Sequence, residues 1–166
     1  EKANITYDMI RKRSKLVANY SYKINAIAEI VGNNDNKKIL IINKFADMAN
    51  DVANNLNIAN KKVICKAYHD KLDSIPAVDV DGNPVFYKTG AKKGQRKVMG
   101  VTSQKKLYQT MFNKGDINVL SVTNSPDKEL NIDVDIIIIT SPLCEDIKSY
   151  LYRLSKINFN TPIILY

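Results

Sequence analysis

Residues 118–140 read NVLSVTNSPDKELNIDVDIIIIT, and the reading of this stretch decides the fold. Val119-Leu120-Ser121-Val122 is a short β-prone run that stops at Thr123-Asn124-Ser125-Pro126. Ile136 to Ile139 is an unbroken run of isoleucine. Such a run is too short to span a membrane, and β-branching at every position disfavours a helix. An uninterrupted apolar run between polar residues suits a strand buried on both faces, as in a parallel sheet covered by helices. The polar loop joining the two strands is then expected near the carboxyl edge of the sheet, where open α/β sheets bind ligands.

The flanking sequence repeats the alternation of strand and helix. Upstream, Ser103 can cap a helix that carries Leu107, Met111 and Phe112 inward and ends at Lys114-Gly115. Further back, KILIIN (38–43) is a strong strand, and Phe45, Met48, Ala49, Val52 and Leu56 follow at helical spacing. KVICKAY (62–68) is a second strand, which completes a strand–helix–strand unit. Residues 5–33 read as helical, with Leu16, Tyr20, Ile24, Ile27 and Val31 on one face and Gly32 to Asn36 as the stop. Downstream, Cys144 to Lys156 reads as a helix with Ile147, Tyr150, Leu151 and Leu154 inward, and PIILY (162–166) as a last strand. Residues 69–102 are the least regular part, with turn chemistry at Asp81-Gly82-Asn83-Pro84 and a short strand expected at Val85-Phe86-Tyr87. No internal repeat or linker divides the chain. The expectation is one α/β domain over 1–166, with lead-in helices in 1–33 and an irregular insertion in 69–102. Its architecture is a three-layer sandwich, a mainly parallel central sheet with helices on both faces.

The chain has 166 residues, enough for one sizeable core, and carries a net charge of +8 from 25 basic and 17 acidic residues. That balance favours a polyanionic partner, nucleic acid first; the competing reading is an ordinary lysine-rich surface. Two segments concentrate the charge: Arg11, Lys12, Arg13 and Lys15, and the loop Gly90-Ala91-Lys92-Lys93-Gly94-Gln95-Arg96-Lys97. The loop is not a Walker A motif, because no Lys-Ser/Thr follows its second glycine. It is expected either to grip phosphates without order in the free protein or to be a mobile surface loop. Cys65, Cys144 and the single histidine, His69, have no metal-binding or disulfide spacing, and His69 is expected at a surface or an edge. Asp79 and Asp81 lack the later glutamate of a calcium loop. No signal peptide or membrane span is read, so a reduced, cytoplasmic setting is expected. The chain opens on Glu1 rather than Met, as a piece of a longer protein would, and its Asn and Lys abundance points to an AT-rich genome such as a phage or virus.

The order of these motifs resembles the second RecA-like lobe of superfamily 2 helicases and translocases, over nearly the whole chain. YKINAIAEIV (22–31), with Lys23, resembles the helix that follows the inter-lobe linker. KKILIINKFADMANDVANNL (37–56) is similar to the family's fourth motif, a strand and a helix whose start faces nucleic acid. Phe86-Tyr87-Lys88-Thr89-Gly90 resembles the family strand that ends in a small residue plus Gly. SQKKLYQTMFNKGDINVLSVTNS (103–125) resembles its helix, Phe, Gly, strand and Thr, with Thr123 at the fifth-motif threonine that touches a backbone phosphate. LYRLSKI (151–157) lies where the sixth motif, Gln-x-x-Gly-Arg-x-x-Arg, is expected. There Tyr152 stands for Gln, Ser155 for Gly, Lys156 for the first arginine and Phe159 for the second, with Arg153 at an unspecified position. Lys128-Glu129-Leu130-Asn131 stands where the family carries Glu-Gly-x-Asp.

The resemblance implies a nucleic-acid track along strand-end loops at Asn43-Lys44, Thr89-Gly90 and Thr123-Asn124, assisted by Lys92, Lys93 and Arg96, holding backbone without reading bases. It implies an ATP face with Lys156 and Arg153 as catalytic candidates and Glu129 and Asn131 near the nucleotide. ATP and Mg2+ are expected only together with a preceding motor lobe, so the chain alone is not expected to hydrolyse ATP. The implied partners are a DNA or RNA backbone and an N-terminal RecA-like lobe, with no membrane. Two other readings stand beside it: a non-catalytic nucleic-acid-binding or scaffold domain derived from a helicase lobe, and a flavodoxin-like nucleotide-binding domain. The last needs a phosphate loop after the first strand, and Asn43-Lys44-Phe45 has no glycine.

Overall fold

The computed structural model describes residues 9–13, 21–78, 83–123, 130–140 and 163–165. In chain order the elements are α1 (Ser21–Gly32), β1 (Ile39–Asn43), α2 (Ala46–Ala59), β2 (Cys65–Tyr68), β3 (Ile75–Pro76), β4 (Val98–Met99), α3 (Val101–Lys114), β5 (Val119–Thr123), β6 (Ile136–Ile139) and β7 (Ile163–Leu165). Residues 9–13 are helical and exposed. The helix expected over Cys144–Lys156 lies outside the described residues, as do Leu16 and Tyr20.

Five strands form one sheet in the order β2-β5-β1-β6-β7, and every pair is parallel. The two strands of the 118–140 stretch are consecutive in sequence but do not pair with each other, because β1 lies between them. Register sorts the side chains. Cys65, Val119, Ile39 and Ile136 align across the sheet, as do Tyr68, Val122, Ile42 and Ile139. The first row, with Ile41 and Ile138, packs under α1 and α2 through Ile27, Val31, Met48, Val52 and Leu56. The second, with Leu40, Leu120 and Ile137, packs under α3 through Tyr108 and Phe112. The four isoleucines are buried on both faces for this reason. This is the α/β sandwich, with a parallel sheet and helices on both faces, that the apolar run implies.

Several local expectations change. The helix α3 starts at Val101 with Gly100 as its N-cap, so Ser103 lies inside the first turn and does not cap it. Leu107 is 36% exposed, and Tyr108 takes the inward position instead, because the buried face runs through Gln104, Tyr108 and Phe112 at intervals of four. Gly115 closes the helix at φ 88, a left-handed conformation that glycine adopts without a Cβ penalty. KVICKAY forms a strand only from Cys65. There the Asn57 side chain bonds both the Cys65 N–H and its carbonyl at 2.9 Å, taking the place of a neighbouring strand.

The segment after β5 also departs from a simple strand-end loop. Leu130, Ile132 and Val134 alternate into the core under α3. The Asp135 N–H donates to the Lys38 carbonyl at 2.8 Å, just before β1. Residues 130–135 therefore run along the sheet face to its amino edge, drawn by alternate burial.

Residues 75–99 are more regular than expected. Pro76 pairs with Val98 and Ile75 with Met99 in antiparallel register, with further bridges Val78–Pro84 and Phe86–Arg96. Three backbone bonds close on themselves: Ala77 donates to Lys97 at 2.9 Å, Lys97 to Val85 at 2.7 Å, and Val85 to Ala77 at 3.1 Å. The insertion is thus a small antiparallel layer of three mutually bonded segments.

Candidate nucleic-acid interface

Parallel strands place their last residues along one edge. Across this sheet the carboxyl edge runs Tyr68 and His69, then Thr123, then Asn43 and Lys44, then Thr140. The edge is held by buried polar groups. The Asn43 amide donates to Ser121 Oγ at 2.9 Å and to the Val122 carbonyl at 3.2 Å. Thr140 Oγ1 reaches the Ile42 carbonyl at 3.1 Å and Asn43 Oδ1 at 3.2 Å. Lys23 Nζ donates to the Thr140 carbonyl at 3.0 Å, which fixes the start of α1 over the ends of β1 and β6. Buried polar groups are expected to be paired in this way. Asn43 was expected to touch a ligand, but it has no exposed surface and its amide is spent inside the edge. It orders the strand ends and does not reach outward. Lys44 and Thr123 sit beside it, both half-buried, with Lys44 Nζ 5.6 Å from the Phe45 ring centroid.

The β2 end carries a second cluster. His69 is buried, not a surface residue: its Nδ1 accepts the Lys71 N–H at 3.1 Å, so Nε2 carries the proton and faces Asn50 Oδ1 at 2.9 Å. Burial lowers its pKa below the ordinary 6.5, with Asp70 opposing that shift. Lys105 on α3 is buried, pairs with Asp70, and lies 5.1 Å from the Tyr68 ring centroid. Cys65 is buried deeper in the sheet, where burial raises its thiol pKa to about 12 and makes it an unreactive core residue.

The insertion leaves from this end of β2 and returns to the start of α3. Gln104, itself buried, donates to the Asp73 carbonyl at 2.6 Å and to the Met99 carbonyl at 3.0 Å, pinning the entering and leaving segments together. The basic loop at the far end is closed by its own backbone bonds. Lys93 N–H bonds the Gly90 carbonyl at 3.0 Å, Gln95 N–H the Lys92 carbonyl at 2.9 Å, and Gly94 N–H the Tyr87 carbonyl at 2.9 Å. Gly90 at φ 78 and Gly94 at φ 80 make these tight turns available. Thr89 and Gly90 therefore sit at the tip of the insertion, not at the end of a central strand, because residues 84–87 pair antiparallel within the insertion. Thr89, Gly90, Lys92, Lys93 and Arg96 are all exposed there.

Of the remaining expected residues, Asn124, Glu129, Arg153 and Lys156 lie outside the described residues. Asn131 is corrected. Its carbonyl accepts Gln109 Nε2 at 3.0 Å and Asn113 Nδ2 at 3.1 Å, and the Asn113 carbonyl accepts Lys38 Nζ at 2.9 Å. That places Asn131 on the way to the amino edge, away from the strand ends where a nucleotide would lie. The turn after β1, Asn43-Lys44-Phe45, has no glycine, and Phe45 is the N-cap of α2, with φ −127 and no side-chain cap. Among the described residues no cluster of His, Cys, Asp or Glu can hold a metal ion, and no helix is long and apolar enough to cross a membrane. Sequence reading missed Asn57, Gln104 and Thr140, whose roles are set by distant backbone groups.

The chain superposes on the Pyrococcus furiosus Hef helicase domain with a TM-score of 0.54 at 18% identity, covering 87% of this chain and 25% of that one. It superposes on S. cerevisiae Dbp5, in a structure with Gle1 and IP6, with a TM-score of 0.57 at 16% identity, covering 89% of this chain and 32% of that one. The fold is RecA-like. No protein-family model and no curated protein sequence matches the chain. At these identities the likeness is one of fold, and this RecA-like domain spans about a third or less of either neighbour's length.

Proposed function

We propose that this RecA-like domain is the second motor lobe of an ATP-dependent superfamily 2 helicase or translocase, contributing one wall of the nucleic-acid track and part of the ATP cleft. The observation that carries the reading is the composition of the carboxyl edge. Thr123 ends β5 there, Lys44 follows the end of the adjacent parallel β1, and the basic insertion is rooted at the same edge through Gln104. A RecA-like lobe whose first strand leads into Asn43-Lys44-Phe45, with no glycine, supplies surface for a strand and not the phosphate loop. That loop belongs to a preceding lobe, with which ATP and Mg2+ would be bound. ATP supplies the closure between lobes; Lys156, Arg153 and Glu129 are this chain's proposed contribution to its face. Lys44, Thr123, Thr89, Gly90, Lys92, Lys93 and Arg96 hold backbone phosphates by ammonium, guanidinium, hydroxyl and amide contacts.

The isolated chain is expected to bind DNA or RNA weakly and without sequence preference, with log affinity falling by about 0.7 to 0.9 per neutralised phosphate for each tenfold rise in salt. Fluorescence anisotropy at low salt tests this, and no binding refutes the nucleic-acid role. The chain alone is expected to release no phosphate from ATP. In a protein carrying the preceding lobe, Lys156→Ala is expected to lower turnover more than nucleic-acid affinity. A single specific feature favours a second reading, a non-catalytic nucleic-acid-binding or scaffold domain: Lys156 and Phe159 stand where two arginines are expected, and lysine lacks the bidentate fork. Unchanged turnover in the Lys156→Ala protein selects it.

A further inference from the structure

The insertion has two faces of opposite character. Because strand side chains alternate, Ile75, Ala77, Val85, Tyr87 and Met99 turn one way and are buried or half-buried. Pro76, Val78, Pro84, Phe86, Arg96 and Val98 turn the other way, matched across the strands by the pairs Pro76–Val98, Val78–Pro84 and Phe86–Arg96. All of these are exposed, with Val78 at 46%, Phe86 at 51% and Val98 at 52%. An antiparallel layer with one solvated face ordinarily puts polar residues there. This one instead shows an aromatic ring and two valines to water, in a segment that folds in on itself through its own backbone bonds.

The surroundings say what would cover that face. From Asn83 to Met99 the chain carries Lys88, Lys92, Lys93, Arg96 and Lys97 and no acidic residue; the acidic residues of the insertion, Asp79 and Asp81, come before it in the sequence. All five cations are exposed, and the alternation that sets Phe86 outward sets Lys88 and Arg96 on its side and Lys97 on the other. Phe86 is paired across the strands with Arg96, so a flat ring and a flat guanidinium share one surface. An apolar aromatic face with Arg96 and Lys88 on the side of Phe86 matches a ligand that is flat and apolar in the middle and anionic at its margin. An unpaired nucleotide strand has that chemistry, since every base offers a π-face and every linkage a phosphate. A duplex offers the phosphates but hides the base faces.

We propose that the outer face of the insertion is a binding platform for single-stranded nucleic acid, on which Phe86 stacks a base while Arg96 and Lys88 hold the flanking phosphates. The proposal rests on the nucleic-acid reading above and adds to it a discrimination between one strand and two. The hydrogen-bonded turns at Gly90 and Gly94 join the Phe86 and Arg96 segments that carry the platform.

The test uses the full chain, a fluorescein-labelled oligothymidylate and a labelled duplex of equal length, read by anisotropy. Phe86→Ala is expected to weaken single-strand binding by about fivefold to a hundredfold, the range for one lost stacking contact, and duplex binding by less than about threefold. Phe86→Trp is expected to restore it. Ile58→Ala, which removes an exposed apolar residue from α2, is the control for lost apolar surface as such. The double variant Lys92→Ala, Lys93→Ala is expected to weaken both probes alike and flatten both salt slopes. Thermal unfolding of each variant checks that the fold is kept, and Phe86 is exposed enough that its removal leaves the core intact. Equal losses on both probes, or no loss in Phe86→Ala while the lysine variant still weakens binding, overturn the platform and leave the nucleic-acid role standing. No binding of either probe removes that role as well. A concentration-dependent dimer abolished by Phe86→Ala, seen in sedimentation, overturns the platform by assigning the face to a second copy of the chain.

Discussion

The central sheet and the 75–99 insertion are built from similar residues and hold themselves together in opposite ways. Ile41, Leu120 and Ile137 have no exposed surface, and each is covered by helices and neighbouring strands. Phe86 and Val98 are half-exposed, and their segment is held by a ring of backbone bonds, two positive-φ glycines and the Gln104 tether. Burial makes the sheet stable and leaves its side chains nothing else to do. Local hydrogen bonding makes the insertion stable enough while its side chains remain available. Function is expected where side chains are not needed for folding.

Substitutions can break that contrast. Ile41→Ala is expected to cost about 2–5 kcal/mol, as buried large-to-small changes do, whereas Phe86→Ala or Val98→Ala stays within about 0.5 kcal/mol. Urea unfolding measures both, and comparable losses would erase the distinction. Asn43→Ala comes next. It strips Ser121 and Thr140 of buried partners, for an expected loss of about 1–3 kcal/mol. A neutral result would mean that the carboxyl edge is not ordered by this network.

Two glycines sharpen the comparison. Gly115 and Gly94 share the left-handed conformation, so alanine strains either by about 1 kcal/mol. At Gly115 the strain falls on the cap of a core helix and is expected to lower the global midpoint. At Gly94 it falls on the hairpin. There it is expected to speed exchange of the Tyr87 and Gly94 amides while the global midpoint holds. Exchange that quickens equally in the core would show the insertion and sheet unfolding as one unit.

The smallest effect is that of pH. His69 titrates below 6.5 in the folded state, so the unfolded chain takes up a proton first as pH falls. Its contribution to stability is therefore complete above pH 6.5, declines below it, and levels off beneath the folded pKa. His69→Gln is expected to flatten that part of the pH–stability curve. An unchanged slope would locate the dependence elsewhere.

Much of the fold was legible because burial leaves a periodic trace. The isoleucine run, KILIIN and the spacing of Met48, Val52 and Leu56 each encode a face, and the parallel α/β reading follows from them. The candidate site was legible only in part. Lys44 and Thr123 became candidates through the resemblance in motif order, and the basic loop through its charge. That Asn43 turns inward could not be read, because only the register with Ser121 and the nearness of Thr140 decide it. Asn131 was misplaced for a similar reason: alternate burial of Leu130, Ile132 and Val134 carries it along the sheet to the far edge.

By itself the sequence determined the buried strands of the central sheet and the helices α2 and α3 packed on it, the excess of positive charge, and the want of a glycine-rich loop after β1. These depend on local periodicity and composition. The tertiary structure decided that β1 divides β5 from β6, that Gln104 roots the insertion at the carboxyl edge, and that Phe86 shares an exposed face with Arg96. Such facts depend on contacts between residues far apart in the chain, and no local pattern encodes which distant partner a strand or an amide will find.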